Sequence, residues 1–244
     1  MPGVIEMKNV NFSAQNRKLV ENISFEFEDG KTTALVGHSG CGKSTMLKLA
    51  AGLIIPDQGA VLFRGRDVIR MSRTENLEFR REAAVVFQDS ALWANQTLFQ
   101  TLELPLRLHF PKMSKTDRKR RIESTVAEVG YRKDLGIRPA ELSMGEQKLI
   151  AFARALICRP RLLYLDEWTE SLDESSANRL IELVKKMQKE GASIIFVSHD
   201  LQIVRDLADV IVMIRNGQLG KKFTREQIDK DEDLECYMEE GMAS

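Results

Sequence analysis

A glycine-rich segment that ends in lysine and serine offers the clearest chemistry in this 244-residue chain. Residues 37–44 read GHSGCGKS, which fits the spacing G-x-x-x-x-G-K-[ST]. Glycines permit backbone angles that turn successive N–H groups onto one anion, and the helix that follows adds its positive N-terminal end. In this pattern the lysine reaches the β- and γ-phosphates, and the serine hydroxyl ligates Mg²⁺. The segment predicts a nucleotide-phosphate site formed by Gly37, His38, Ser39, Gly40, Cys41, Gly42, Lys43, Ser44 and Thr45.

Two adjacent acids end an apolar stretch much later in the chain. Residues 162–165 read LLYL and are followed by Asp166 and Glu167. A buried strand rarely ends in unpaired acids, because burying an unpaired charge costs free energy. Beside a phosphate loop, Asp166 is suited to holding Mg²⁺ through its water shell, and Glu167 to orienting or deprotonating an attacking water. A solvated strand end is the alternative for this pair taken alone.

A capping-box spacing predicts the start of a helix. Ser143 and Glu146 stand three residues apart, and apolar residues follow at helical spacing as far as Arg159. The plain interpretation is a well-capped helix, and the functional one is an N-terminus presented to a phosphate. Gln88 and His199 each follow a strand-like stretch, and each taken alone favours a structural role.

The elements around these residues alternate as in an α/β protein. Residues 32–36 form a short β-prone run before the phosphate loop, and residues 46–53 carry a helical stripe after it. Residues 23–27 alternate apolar and polar like a strand, residues 89–160 are mainly helical, and an Asn-Gly turn at 216–217 closes a hairpin. The sequence predicts an α/β fold with a P-loop NTPase core, an antiparallel β subdomain and an inserted α-helical subdomain.

The predicted organisation has three parts. Residues 1–87 and 161–220 form the core, residues 88–160 form the helical subdomain, and residues 221–244 form a C-terminal acidic extension. Within the helical subdomain, the basic run at 118–121 is predicted to be a solvated helix face.

Composition narrows the class of protein. The formal net charge is zero, which does not favour a dedicated nucleic-acid binder. Three scattered cysteines without a C-x-x-C spacing, Cys41, Cys158 and Cys236, suit a reducing cytosol. The N-terminus lacks the apolar core of a signal peptide, and no apolar run approaches the roughly 18 residues that span a bilayer. Any membrane role is therefore expected to come through a partner.

Taken in order along the chain, these features resemble the nucleotide-binding subunit of an ATP-binding cassette (ABC) transporter. The resemblance spans residues 4–220 and implies an ATPase that hydrolyses ATP with Mg²⁺ to drive transport. It rests on the phosphate loop, Gln88, residues 142–146 (LSMGE), Asp166 and Glu167, residues 171–173 (SLD) and residues 197–200 (VSHD).

The resemblance also implies a composite site, in which two copies of the chain enclose two ATP molecules head to tail. One copy would supply Lys43, Ser44, Gln88, Asp166, Glu167 and His199. The other copy would supply the Ser143 hydroxyl, the Gly145 N–H and the helix N-terminus behind them. By the same resemblance, Gln88 joins Ser44 and Asp166 at the Mg²⁺, and His199 bonds the γ-phosphate and holds Glu167 and the water in line.

Five positions depart from the family pattern or add to it. Met144 stands where the family's signature segment, residues 142–146 here, usually has its first glycine, so its side chain would crowd the nucleotide. Ala14 stands where many members carry the aromatic that stacks on adenine, and we expect weak stacking and loose base discrimination. Lys148 and Trp168 replace a usual glutamine and a usual proline. Cys41 is either a small filler or a reactive thiol whose pKa is lowered by the helix N-terminus.

One phosphate loop and one signature imply that two copies must pair and that a separate integral permease completes the transporter. The chain is expected to be cytoplasmic and peripheral on the inner face of the inner membrane. The permease is expected to dock near residues 88–110, where Trp93 and Phe99 are apolar. The alternative is that these two side chains pack into the helical insertion.

Short matches point to one transport substrate. Residues 70–73, 87–93 and 104–107 resemble the ATPases of Mce-protein systems, which move phospholipids between bacterial membranes. Two other functions stay open. One is a soluble ABC ATPase of the iron–sulfur assembly or cell-division type, and the other is a regulatory nucleotide-binding subunit with little hydrolysis.

Overall fold

The computed structural model describes residues 3–230 and contains two β-sheets with helices around them. The smaller sheet has the strand order β2-β1-β4-β5 and is antiparallel. Its strands are β1 (Ile5–Ala14), β2 (Arg17–Phe27), β4 (Gln58–Phe63) and β5 (Arg66–Asp67).

The larger sheet has six strands in the order β10-β9-β3-β8-β7-β6. Its strands are β3 (Thr32–Val36), β6 (Ala83–Val86), β7 (Leu162–Asp166), β8 (Ser193–Val197), β9 (Val210–Arg215) and β10 (Gln218–Thr224). All pairings are parallel except that of β10 with β9, so the carboxyl ends of β3, β6, β7 and β8 meet at one edge. Ligands of open α/β sheets bind at this edge.

Eight α-helices surround the sheets within residues 3–230. They are α1 (Lys43–Ala50), α2 (Arg73–Glu82), α3 (Leu98–His109), α4 (Lys115–Glu128), α5 (Met144–Leu156), α6 (Glu174–Lys189), α7 (Leu201–Leu207) and α8 (Arg225–Lys230). Side chains cap most of them: Ser72, Thr97 and Ser143 form capping boxes for α2, α3 and α5. Such caps satisfy N–H groups that the helix itself leaves without acceptors.

The central sheet separates two hydrophobic cores, because successive strand residues point to opposite faces. In β7, Leu163 and Leu165 join the core that contains α3 to α6, whereas Leu162 and Tyr164 join the core beneath α1 and the smaller sheet. Every residue of β3, β7 and β8 is buried, as expected for parallel strands covered on both faces.

The α/β fold with an antiparallel sheet and a parallel core is confirmed, but several local expectations are wrong. Helix α1 ends at Ala50, so Leu53 leaves the predicted stripe and is exposed. The basic run is only partly solvated: Arg118 pairs with Glu103, and Arg121 donates to the Ile157 carbonyl. These guanidinium groups tie α4 to its neighbours.

The last strand ends close to the predicted C-terminal boundary at residue 220, which stays a prediction. β10 extends to Thr224, because it pairs with β9 as far as Thr224 opposite Val210. Residues 231–244, with Cys236 and most of the predicted acidic extension, lie outside the described residues. Among residues 3–230, no helix is both long enough and apolar enough to cross a membrane.

Candidate active site

The phosphate loop lies between β3 and α1 at the carboxyl edge of the larger sheet. Gly37, Gly40 and Gly42 all have positive φ, with values of 152°, 77° and 108°. A side chain at Gly42 would collide with the Leu19 carbonyl, whereas one at Gly40 would meet nothing within 4 Å. Gly42 stands at the N-cap of α1 and has no side chain, so the first N–H groups of this helix stay available to an anion.

Two side chains of the loop are already held in place. Lys43 is buried, and its Nζ donates to the Gly37 and His38 carbonyls at 2.7 and 2.9 Å, which folds the side chain back across the loop. The Ser44 hydroxyl donates to Asp166 Oδ1 at 2.8 Å. The structure therefore brings together Ser44 and Asp166, two of the three residues predicted to hold Mg²⁺.

The two acids at the end of β7 differ in their surroundings. Burial raises the pKa of Asp166, against the lowering effect of its hydrogen bond from Ser44. Glu167 has a left-handed backbone with φ of 43°, which a residue with a side chain adopts at a cost. Burial and the nearby Glu170 charge raise the pKa of Glu167 to about 7, although Lys43 opposes the shift. A carboxyl group with that pKa is suited to proton transfer near neutral pH.

His199 follows β8 and stands opposite Glu167. Its Nε2 lies 3.1 Å from Glu167 Oε1, yet this buried oxygen accepts no hydrogen bond from any of residues 3–230. Burial and the Lys43 charge lower the pKa of His199, which favours the neutral ring at pH 7. A carboxylate oxygen that lacks a hydrogen-bond donor is suited to accept a hydrogen bond from a water or a ligand.

Gln88 reaches the same cavity from the end of β6. Its Nε2 donates to Glu170 Oε2 at 3.1 Å. Sequence patterns did not single out Glu170, because an acid three residues after Glu167 in a loop has no motif of its own. The contact depends on the pairing of β6 with β7, which puts two residues 82 positions apart side by side.

A cavity of about 250 Å³ lies among these groups, although Asp166 and Glu170 do not line it. It is lined by Leu19, Ser39, Gly40, Gly42, Lys43, Ser44, Thr45, Gln88, Glu167 and His199. Leu19 on β2 was not predicted, and Ala14 is half-buried at the end of β1, so weak adenine stacking stays a prediction. A nucleoside triphosphate with Mg²⁺ fits the groups at this site, which are the free N–H groups of α1, the Lys43 ammonium and the Ser44–Asp166 pair.

A larger cavity of about 730 Å³ lies elsewhere, and none of the predicted site residues lines it. Its walls carry charges of both signs, including Arg64, Glu128, Arg161 and Lys186. Cavity size is therefore a poorer guide here than the chemistry of the lining.

Within the phosphate loop, the hypothesis of a reactive thiol at Cys41 is wrong. Cys41 is 2% exposed, and burial raises its pKa instead of lowering it. Its Sγ fills the space where a side chain on Gly37 would stand, so the small-filler interpretation holds. His38 Nδ1 lies 2.8 Å from the Ser39 carbonyl, a contact within the loop itself.

Ser143 and Gly145 lie at the N-terminus of α5 and do not line the cavity. The Ser143 hydroxyl accepts from the Glu146 N–H at 3.2 Å, and the Glu146 carboxylate accepts from the Ser143 N–H at 3.0 Å. Met144 between them is 71% exposed. A Cβ on Gly145 would lie 2.8 Å from the Ser171 carbonyl oxygen, so a side chain there would require the Ser171 backbone to shift.

A phosphate loop between a parallel strand and a helix, with an acid on a neighbouring strand beside its serine, defines the class of P-loop NTPases. The profile described as ABC transporter matches residues 20–170, more than half of the chain. The chain belongs to the ABC transporter family. The predicted activity, an ATPase that uses ATP and Mg²⁺, is confirmed at the level of this family.

Relatives with different roles are similar to the chain. A nickel import ATP-binding protein, NikE of Shigella flexneri serotype 5b, is 35% identical over 85% of this chain and 78% of its own length. The intermembrane phospholipid transport system ATP-binding protein MlaF of Haemophilus influenzae is 32% identical over 95% of this chain and 88% of its own.

A solved structure supports the same assignment. The ATP-binding cassette MJ0796, in a dimeric post-hydrolysis state bound to ADP and Pi, superposes with a TM-score of 0.84 at 26% identity. The alignment covers 91% of this chain and 98% of that one.

Proposed function

We propose that the chain works as an ATP-driven dimer, with each ATP enclosed between two copies. The observation that carries this proposal is the separation of the predicted nucleotide contacts into two surfaces. Lys43, Ser44 and Glu167 line one cavity, whereas Ser143 and Gly145 stand on a helix N-terminus outside it. The dimeric state of the MJ0796 cassette supports the arrangement.

Each group has a chemical task in this proposal. The loop N–H groups and Lys43 bind the β- and γ-phosphates, and Glu167 takes a proton from the attacking water. His199, whose Nε2 faces Glu167 Oε1 at 3.1 Å, would bond the γ-phosphate and hold Glu167 and the water in line. Mg²⁺, held by Ser44, Asp166 and Gln88, would neutralise charge that develops on the phosphates.

ATP closes the dimer because its γ-phosphate contacts both copies: Lys43 on one side, and the Ser143 hydroxyl and Gly145 N–H on the other. Hydrolysis removes this bridge and weakens the closed state relative to the open one. The difference in affinity for the two states would be the source of mechanical work on a partner.

That partner would be an integral permease that contacts residues 88–110. Trp93 is 51% exposed in this segment, and Leu104 and Leu108 on α3 are 38% and 54% exposed. Phe99, in contrast, packs partly into the core, so the alternative of internal packing fits Phe99 but not Trp93. Exposed apolar groups of this kind are typical of contact surfaces. The chain would then lie in the cytoplasm, on the inner face of the inner membrane.

The transported substrate is proposed to be a phospholipid. Support comes from the relative MlaF, whose match extends over nearly the whole of both chains, and from the short motifs near residues 70 and 90. Nickel import is the second candidate, favoured by the 35% identity to NikE.

Purification of the tagged chain with its membrane partners tests both the proposed permease and the proposed phospholipid substrate. A co-purifying integral permease with bound phospholipid is the expected result, and loss of that permease with Trp93→Ala is expected to locate the contact. Glu182→Ala, on the exposed side of α6, is the matched control. If all the co-purifying partners are soluble proteins, the result would favour a soluble ABC ATPase. If the ATPase activity of the complex with the permease responds to Ni²⁺ instead of lipid, the result would overturn the phospholipid assignment.

A further inference from the structure

Lys148 is a buried lysine that has no part in the proposed ATP chemistry. It lies in the second turn of α5 and is 2% exposed. Lysine is almost never fully buried without partners, since its charged form needs replacement for lost water. The groups that replace this water indicate what the ammonium holds together.

Three main-chain carbonyls surround the ammonium group. Lys148 Nζ donates to Gln88 O at 2.5 Å, to Phe87 O at 3.3 Å and, more weakly, to Glu167 O at 3.4 Å. The charge is further balanced by the nearby acids Asp89, Asp166 and Glu170. All of these groups belong to the end of β6 or the end of β7, on the edge that holds the active site.

The same helix that carries Lys148 presents Ser143 and Gly145 at its N-terminus, about one turn away. In the dimer these two residues contact the ATP bound mainly by the partner copy. Gln88 and Glu167 face the ATP bound by their own copy. The Lys148 ammonium thus connects α5, which contacts the ATP of the partner copy, with Gln88 and Glu167, which face the ATP of their own copy.

We propose that Lys148 is a positioning residue that couples the two ATP sites of the dimer, by fixing the Gln88 and Glu167 backbones to α5. The inference rests on the proposed dimeric function. When the ATP bound by the partner copy moves α5, Lys148 transmits that movement to the carbonyls of Gln88 and Glu167. The movement then changes the position of the Glu167 carboxylate relative to the attacking water in its own site.

The chemistry of lysine suits this task. An ammonium group has three donors, which matches three carbonyls, whereas the glutamine usual at this position has two. A methionine of similar length has none. Arg154 on the same helix donates to the Ser90 and Ala91 carbonyls but not to Glu167. It therefore anchors the loop that follows Gln88 without contacting the proposed base.

The experiment compares Lys148→Met, Lys148→Gln and, as the matched control, Arg154→Gln in the full chain. For each, ATPase turnover is measured against ATP concentration, together with the melting temperature and the affinity of the isolated monomer for ATP without Mg²⁺. The last measurement reports only nucleotide binding at the phosphate loop, which lies between β3 and α1 and not on α5.

In Lys148→Met we expect kcat to fall at least about tenfold, since a small misplacement of a catalytic group is costly. The Hill coefficient for ATP should fall towards 1, while ATP affinity of the monomer changes by less than about threefold. Lys148→Gln should lie between methionine and wild type, and Arg154→Gln should keep the wild-type Hill coefficient.

Two results would overturn the coupling role. One is a folded Lys148→Met variant with wild-type kcat and Hill coefficient. The other is a parallel fall of melting temperature, ATP affinity and kcat in both Lys148 variants, which would show a structural role only. Failure of the dimer proposal is seen separately, in wild type alone, as turnover without any ATP-dependent dimer or cooperativity.

Discussion

The two halves of the proposed ATP site differ in how complete they are within a single copy. The phosphate-loop half is buried and internally bonded: Lys43 and Glu167 are each 6% exposed. The half on α5 is open, and Met144 at its tip is 71% exposed. The first half is organised within a single copy, whereas in the proposed dimer the second half would acquire its nucleotide contacts only on association. In that arrangement dimerisation would control catalysis without moving Glu167, the proposed base.

The same contrast recurs between two adjacent positions of the signature. Gly145 is constrained by its own chain, because a methyl group added there would lie 2.8 Å from the Ser171 carbonyl oxygen. Met144 meets no comparable constraint and extends into solvent. Packing within the chain thus limits the size of residue 145, and the solvent exposure of residue 144 imposes no such limit.

The largest expected effect is at the buried half. Glu167→Gln keeps the size of the side chain but cannot take a proton, so turnover should fall about 10²- to 10⁴-fold. ATP should still close the dimer, and the variant should elute as a dimer in ATP during size-exclusion chromatography. Turnover equal to wild type would remove Glu167 from the role of base.

At the open half, Gly145→Ala should lower turnover by about 10- to 100-fold, because displacement of the 171–173 segment shifts the N–H offered to the partner's ATP. Steady-state ATPase assays and ATP-dependent sizing check this, with Met144→Ala as the neighbouring control. An active Gly145→Ala variant would show that the segment yields to the methyl group at little cost.

Stability should depend on pH through the buried acid. In protein free of nucleotide and Mg²⁺, the folded chain keeps the Glu167 proton up to a pKa of about 7, whereas the unfolded chain releases it near 4.5. The free energy of unfolding should therefore fall as pH rises between these values, by about 1–3 kcal/mol. Urea unfolding at several pH values measures the slope, which Glu167→Gln should reduce. An unchanged slope would mean that the acid ionises freely in the fold.

The smallest effect is expected from Met144→Gly. Removal of an exposed side chain from the contact surface should ease closure and raise turnover at low ATP by about threefold, less than about 1 kcal/mol in the barrier. A fall of turnover similar to that of Gly145→Ala would instead show that Met144 contributes a contact of its own.

Much of the fold was accessible from the sequence because its signals are local. The apolar runs of β3, β7 and β8, the capping box at Ser143 and the phosphate loop each depend on neighbouring residues only. The order of these motifs then indicated a P-loop core, which the fold confirms.

Other features depend on contacts between distant segments, and no local pattern encodes them. The sequence presents Lys148 as one more polar residue of a capped helix, yet its nearest acceptor lies 60 residues earlier. Arg118 belongs to a run of like charges, but the packing of α4 on α3 places Glu103 beside it. The pKa of Cys41 depends on how deeply the loop is buried, which spacing does not reveal.

Trp168 gives the molecule a built-in optical reporter. It is fully buried next to Glu167, and its indole packs against Phe152 of α5 with ring centroids 5.7 Å apart. The other tryptophan, Trp93, is half-exposed on the surface proposed for the permease. Their emission should therefore differ in wavelength and in access to quenchers. With Trp93 replaced by phenylalanine, the fluorescence of Trp168 alone would report on the surroundings of Glu167 and α5 through a turnover cycle, without any added label.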